Sequence, residues 1–159
     1  MKPALRFAIR EIKEQAGLTY SGPVPVEEFV GSGLFGDARP EEPCTLDLEF
    51  SVGGSQILME GRVGGRWLLP CSRCLAVHPE PFSWELEETY PLEQEFIDVE
   101  EDVRQALVLC LPQRSLCRQD CKGLCARCGA NLNEGPCRCS EASQQAGTKE
   151  EGKNAESKT

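Results

Sequence analysis

Histidine is almost missing from this 159-residue sequence: the single one is His78. The ordinary equipment of acid–base catalysis is thin as a result. His78 stands in a proline-flanked turn, AVHPEP, and reads as a surface residue, with ligation of a metal beside Cys71 and Cys74 as the lesser alternative. The carboxylates of 85–102 show no pairing signal for general acid and base work. A phosphate-binding loop is missing too. GSGLFG (31–36) follows no convincing strand and opens no helix, so it fails the context that such a motif requires. No run approaches the 18 apolar residues of a membrane span. The opening MKPALRFAIREIKEQ has neither a continuous apolar stretch nor a small-residue cleavage site, so no secretory signal is expected and the chain reads as cytoplasmic. Residues 140–159 lack Val, Ile, Leu and aromatics and cannot bury enough apolar surface to fold; a disordered tail is expected there. These absences point away from an enzyme.

Cysteine, by contrast, is abundant. There are ten, and six lie between Cys117 and Cys139. In a reducing compartment such clustering signals metal binding or catalysis rather than disulfides. A tetrahedral zinc site takes four ligands, commonly two short-spaced thiolate pairs. Cys125 and Cys128 form one pair, followed by a glycine suited to a tight turn; Cys137 and Cys139 form the other. Asn131, Asn133 and Gly135 supply turn residues between them. One structural zinc held by Cys125, Cys128, Cys137 and Cys139 is the preferred reading. Cys117 and Cys121 remain spare candidates, and which four of the six bind is left open by spacing alone. The rival is iron–sulfur ligation: Cys121, Cys125 and Cys128 have C-x3-C-x2-C spacing, but too little chain follows for the barrel of a radical enzyme. Cys71 and Cys74 form a separate C-x2-C pair. It could join the C-terminal thiols in space, act in redox chemistry, or be structural. The prolines after it forbid the helix that a thioredoxin-like motif needs. Cys44 and Cys110 read as small core residues.

The remaining pattern is mostly β. LRFAIREI (5–12) places Leu5, Phe7 and Ile9 at alternate positions, a strand signal. Residues 17–43, with Pro23, Pro25, Pro40 and Pro43, hold no long regular element and read as an ordered loop with short pieces. TLDLEFSV alternates apolar and polar residues; Gly53-Gly54 turns it into QILMEGRV, and after a second Gly-Gly come RWLLP and, past the turn, FSWELEETY. One helix is expected over 99–111, with Asp98 and Glu101 spaced as a capping box, Val103, Ala106, Leu107 and Cys110 on one apolar face, and Pro112 ending it. The expected fold class is α+β, mostly β: an antiparallel meander or barrel-like sheet (1–112) with one packed helix, a Cys-rich zinc module (113–139) and the tail.

Charge divides the chain. Net charge is −9, yet residues 104–139 carry six Lys/Arg against two Asp/Glu, while 75–103 carry ten Asp/Glu and no Lys or Arg. A local basic patch can meet phosphate even in an acidic chain. The run DVRQALVLCLPQRSLCRQDCKGLCARCGANLNEGPCRC, with LPCSRCLAVHPEPF upstream, resembles the YceD family, the large ribosomal RNA subunit accumulation proteins. The resemblance covers about 40–139; Gln113, where an apolar residue is expected after the proline, is a small departure. It implies support for large-subunit rRNA accumulation and hence for assembly of the large ribosomal subunit. Arg114, Arg118, Lys122, Arg127 and Arg138 are the expected contacts to rRNA phosphate or to an acidic protein patch, and the acidic body suits a basic ribosomal protein. A cytosolic thiol-redox or iron–sulfur protein is the alternative.

Overall fold

The computed structural model describes residues 5–24, 26, 35–41 and 43–139. Its centre is a hairpin. β4 (Cys44–Gly53) alternates strictly, burying Cys44, Leu46, Leu48 and Phe50 and exposing Thr45, Asp47, Glu49 and Ser51. That is the geometry of successive side chains on a pleated strand. Gly54, at φ 60°, makes the turn into β5 (Gln56–Pro70). β5 then pairs along its whole length with β6 (Val77–Pro91), from Gln56 opposite Pro91 to Pro70 opposite Val77. β2 (Leu18–Val24) lies on the other side of β4, and the two-residue β3 (Arg39–Pro40) pairs with Leu68 and Trp67 of β5. Since β6 occupies one edge of β5 throughout, β4 and β3 share the other. The sheet is open at both outer strands among the described residues and does not close into a barrel.

A second, two-stranded sheet pairs β1 (Arg6–Ala8) with β7 (Phe96–Asp98), and α1 (Ile9–Glu14) follows β1 directly. α2 (Glu100–Leu109) packs Val103, Ala106 and Leu107 against β5 and β6. The largest fully buried side chain is Trp67, stacked on Phe82 with centroids 5.0 Å apart and flanked by Phe35 at 4.9 Å.

The mostly β, antiparallel fold class with a packed helix is the one read from sequence. Four local expectations need correction. The alternation of LRFAIREI is only half strand: Ile9 and Ile12, three apart, are the buried face of α1. The loop expected over 17–43 contains β2, which tolerates Pro23 because it is an edge strand that need not donate on its outer side. AVHPEP is no turn after Cys74, for β6 begins at Val77 and carries His78, Pro79 and Pro81. The helix is shorter than 99–111, and Glu101 does not reach back to cap it. Glu101 accepts from Arg104, while Asp98 Oδ1 accepts the Glu100 N–H at 3.1 Å. Gly64 and Gly65 lie within the continuous strand β5. Gly65 is required there because a Cβ would stand 3.0 Å from Cys44 Sγ and against the Phe82 ring. The tail expected over 140–159 lies outside the described residues.

Candidate metal centres

Two short loops repeat one backbone design. In Cys71-Ser-Arg-Cys74-Leu75, which joins β5 to β6, the Leu75 N–H donates to Cys71 O and the Cys71 N–H donates to Ala76 O, both at 2.9 Å. In Cys125-Ala-Arg-Cys128-Gly129, the Gly129 N–H donates to Cys125 O and the Cys125 N–H to Ala130 O, both at 2.8 Å. The arginine N–H in each loop points at the first sulfur: Arg73 N to Cys71 Sγ and Arg127 N to Cys125 Sγ, each 3.4 Å. Each loop also ends in a left-handed residue, Leu75 at φ 64° and Gly129 at φ 73°. Glycine takes that conformation freely; leucine does so at a cost. Such turns hold two sulfurs on one side of the chain with N–H dipoles aimed at them, which favours thiolate.

Each loop is completed by two further thiols. Cys71, Cys74, Cys117 and Cys121 form one group of four, and Cys125, Cys128, Cys137 and Cys139 another; within each group all four sulfurs lie within 4.8 Å of one another. Either group could hold a metal ion. Sulfurs bound tetrahedrally at about 2.3 Å from zinc stand about 3.8 Å apart. Three pairs here stand close to that spacing: Cys71–Cys121 at 3.8 Å, Cys74–Cys117 at 3.6 Å and Cys125–Cys137 at 3.5 Å. These are far longer than the roughly 2.05 Å of a disulfide.

The electrostatics fit that donor set. Backbone N–H groups, those of Cys117 and Cys74 above all, hold Cys71 down at about 5. N–H groups of Cys128 and Arg127 hold Cys125 at about 6. Other thiols of each group resist ionisation. Cys117 is pushed up to about 12 by burial and by its neighbouring thiols, and Cys139 to about 12 by Cys128 and burial. Four crowded sulfurs cannot all be anionic without a cation among them. Asn133 Nδ2 donates to Cys121 Sγ at 3.3 Å and its side-chain oxygen accepts the Lys122 N–H at 2.8 Å, so the loop of the outer group also braces the inner one. Cys44, pushed up to about 12 by burial, stays in the core with Cys110 beside it.

The structure therefore places the sequence candidates unequally. Cys125, Cys128, Cys137 and Cys139 come together, whereas Cys117 and Cys121 lie apart from them, with Cys71 and Cys74. Spacing could not show this, because Cys74 and Cys117 are 43 residues apart; the shared C-x-R-C pattern of the two loops was the available signal. His78 belongs to neither group. Its Nε2 lies 2.6 Å from Ser115 Oγ, whose hydroxyl donates to Glu80 at 3.1 Å. This trio is not a hydrolytic relay. Glu80 approaches the same ring nitrogen as the serine instead of the opposite one, and Ser115 is buried. The trio is a clamp that fixes the start of the Cys-rich segment to β6.

Arg114, Arg118, Lys122, Arg127 and Arg138 are all exposed. Arg73, which the sequence reading did not single out, joins them beside the inner thiols and donates to Cys121 O at 2.9 Å. On the outer face of the main sheet, strand register aligns Thr19, Glu49, Glu60 and Glu87 in one row and Ser21, Asp47, Arg62 and Glu85 in the next. The result is an open trough with five carboxylates and one guanidinium.

Residues 77–150 match the family model described as large ribosomal RNA subunit accumulation protein YceD. A chloroplastic large ribosomal RNA subunit accumulation protein YCED homolog 1 of Arabidopsis thaliana is 34% identical over 109 residues, covering 67% of this chain and 30% of that protein. The chain belongs to the YceD family. Uncharacterised proteins of Mycobacterium leprae and Mycobacterium tuberculosis are 32% and 30% identical over 107 and 108 residues. Each match covers 57% of this chain, and 49% and 52% of those proteins. The YceD-family chain thus spans about a third to a half of the length of these relatives. No solved structure gives a significant match. Among the described residues no helix is long and apolar enough to cross a membrane.

Proposed function

We propose that this YceD-family protein supports large-subunit rRNA accumulation, and with it assembly of the large ribosomal subunit, by binding and not by catalysis. In this reading it works in the bacterial cytoplasm, where thiols stay reduced. Zinc occupies the Cys125, Cys128, Cys137 and Cys139 group as a structural ion; any rigid tetrahedral thiolate site contributes folding energy to its loop and leaves no open coordination position. Arg114, Arg118, Lys122, Arg127 and Arg138 meet rRNA phosphate. One observation carries the reading: the stretch 104–139, net-basic in an acidic chain, presents Arg114, Arg118, Lys122, Arg127 and Arg138 to solvent around thiols suited to a metal.

Phosphate contacts release counterions, so log affinity should fall with log salt by roughly 0.7–0.9 per contact. The triple variant R118E/K122E/R127E should weaken binding to large-subunit rRNA by about 1 kcal/mol or more and flatten the salt slope. Unchanged affinity and slope would remove the basic module from the contact. The acidic trough favours a second reading, contact with a basic ribosomal protein. In that case E49Q/E60Q/E87Q abolishes co-purification with ribosomal precursors and the triple reversal does not. Glu88, one residue on, alternates to the opposite face and serves as the control. A brown protein absorbing near 400 nm after anaerobic purification would instead mark the iron–sulfur alternative.

A further inference from the structure

We infer that the chain holds a second metal ion, of the zinc class, at Cys71, Cys74, Cys117 and Cys121, and that this inner ion is the joint between the sheet and the Cys-rich segment. Two of its ligands sit in the β5–β6 loop and two in the segment beyond α2. The outer group, by contrast, draws all four thiols from within 15 residues. An ion at the outer group folds a loop onto itself, whereas an ion at the inner group links parts of the chain that are 43 to 50 residues apart.

The surroundings of the inner thiols are built for this. Cys71, Cys74 and Cys121 are 0%, 7% and 3% exposed and form a small core of their own with Leu116, Cys117 and Leu124. Four thiols would be a poor filling for that core without a cation, since their sulfurs offer weak hydrogen bonds and little volume. The two backbones are already in register across the joint. The Ser72 N–H donates to Ser115 O at 2.8 Å, the Ser115 N–H donates to Ser72 Oγ at 3.2 Å, and Arg73 Nη1 caps Cys121 O. Gly123, at φ 76°, fits beside Arg73 O, which a Cβ would approach to 3.2 Å. Leu75 adopts a left-handed conformation that the equivalent position of the outer loop gives to glycine. A loop held in that conformation by a leucine needs a strong reason to close, and a metal between its two cysteines supplies one.

The ion neither gains nor loses electrons here. Metal–sulfur bonds form as the S–H bonds of those ligands still protonated break and their protons pass to solvent, and no bond between heavy atoms of the protein breaks. Burial makes the two sites unequal. Cys128 of the outer group is exposed, so chelator reaches that ion first and the inner one is released last.

Native mass spectrometry of the full chain purified without added metal counts the ions directly. The expected mass is that of the chain plus two zinc, with C125S/C128S retaining one. Chelator should remove one ion quickly and the second at least tenfold more slowly. C71S/C74S should retain one ion at most, and the ion it keeps should leave at the fast rate. Should that variant fail to fold, cadmium-113 NMR of the wild type decides: two resonances in the four-thiolate region are expected. Complete loss of metal from a folded C125S/C128S variant, or a single ion or single cadmium resonance in the wild type that C71S/C74S still shows, would overturn the inner site; a single ion that C125S/C128S keeps would overturn the outer site instead.

Discussion

Replacing Gly61 by alanine should destabilise the protein although the new side chain is only a methyl group. Gly61 sits in the middle of β5 between Leu48 of β4 and Leu86 of β6. A Cβ there would collide with the Asp47 carbonyl oxygen and stand 2.6 Å from Leu48 Cδ2. Ordinary carbon–oxygen contact is more than 3 Å, so β4 must retreat from β5 by most of an ångström at this point. Overpacking of this kind costs about 1–3 kcal/mol. Each β4–β5 ladder bond that stretches open adds about 1 kcal/mol. Against this, alanine restricts the unfolded chain and returns about 0.4–1 kcal/mol. The balance is a loss of about 1–3 kcal/mol, a fall in Tm of roughly 3–12 °C for a domain of this size. Gly53, at the end of β4, is the paired control: nothing lies within 4 Å of its would-be Cβ, and its backbone is not left-handed. G53A should therefore leave Tm unchanged or raise it slightly. Thermal unfolding followed by near-UV circular dichroism of the two variants tests the comparison. A G61A protein as stable as wild type would refute the claim that the close approach of β4 to β5 depends on a missing side chain at this position.

Trp67→Phe should cost well under the roughly 3–5 kcal/mol expected of Trp67→Ala in chemical denaturation, because phenylalanine keeps most of the buried ring and, among the described residues, Trp67 Nε1–H makes no hydrogen bond to nitrogen or oxygen. Ser115→Ala should lower stability by about 1–2 kcal/mol, since it leaves His78 Nε2 without its close partner, yet it should leave the zinc count by native mass spectrometry unaltered. Metal affinity, measured by competition with a chromophoric chelator, should fall as pH falls from 8 to 5. Protons compete with metal for the thiolates, so the affinity present at high pH is lost on acidification, and an affinity that rose instead would contradict thiolate ligation.

Much of the fold was legible because its physics is local. The alternation of β4 and the Gly-Gly turn specify a hairpin within about 25 residues. The apolar stripe of Val103, Ala106 and Leu107 specifies a packed helix. Local signals misled where a residue's meaning depends on its neighbours in space. Pro23 reads as a breaker until β2 is known to be an edge strand, and Ile9 reads as strand until Ile12 is seen beneath it. The thiols divide in the same way. Cys125 with Cys128 and Cys137 with Cys139 are visible as tight pairs, but nothing in a spacing connects Cys71 with Cys121. That link is made by the fifteen-residue pairing of β5 with β6, which brings their connecting loop to the end of the sheet where the segment after α2 arrives.

β6 has a consequence for how any partner can approach. Among the described residues β6 pairs with β5 alone, and a fifteen-residue strand with one unpaired edge would ordinarily invite another chain to extend the sheet. This one carries Pro79, Pro81 and Pro91, which offer no N–H, and its central stretch holds Glu85, Glu87 and Glu88. An incoming strand would meet gaps in the ladder at both ends and a run of negative charge between them. Backbone-mediated recognition at that edge is therefore blocked, and self-association by the same route is blocked with it. What the protein offers to other molecules is side chains on surfaces: the cations around the thiols on one part, the carboxylate rows on another. Its selectivity then rests on charge and shape, and it should be tuned by salt in a way that strand addition would not be.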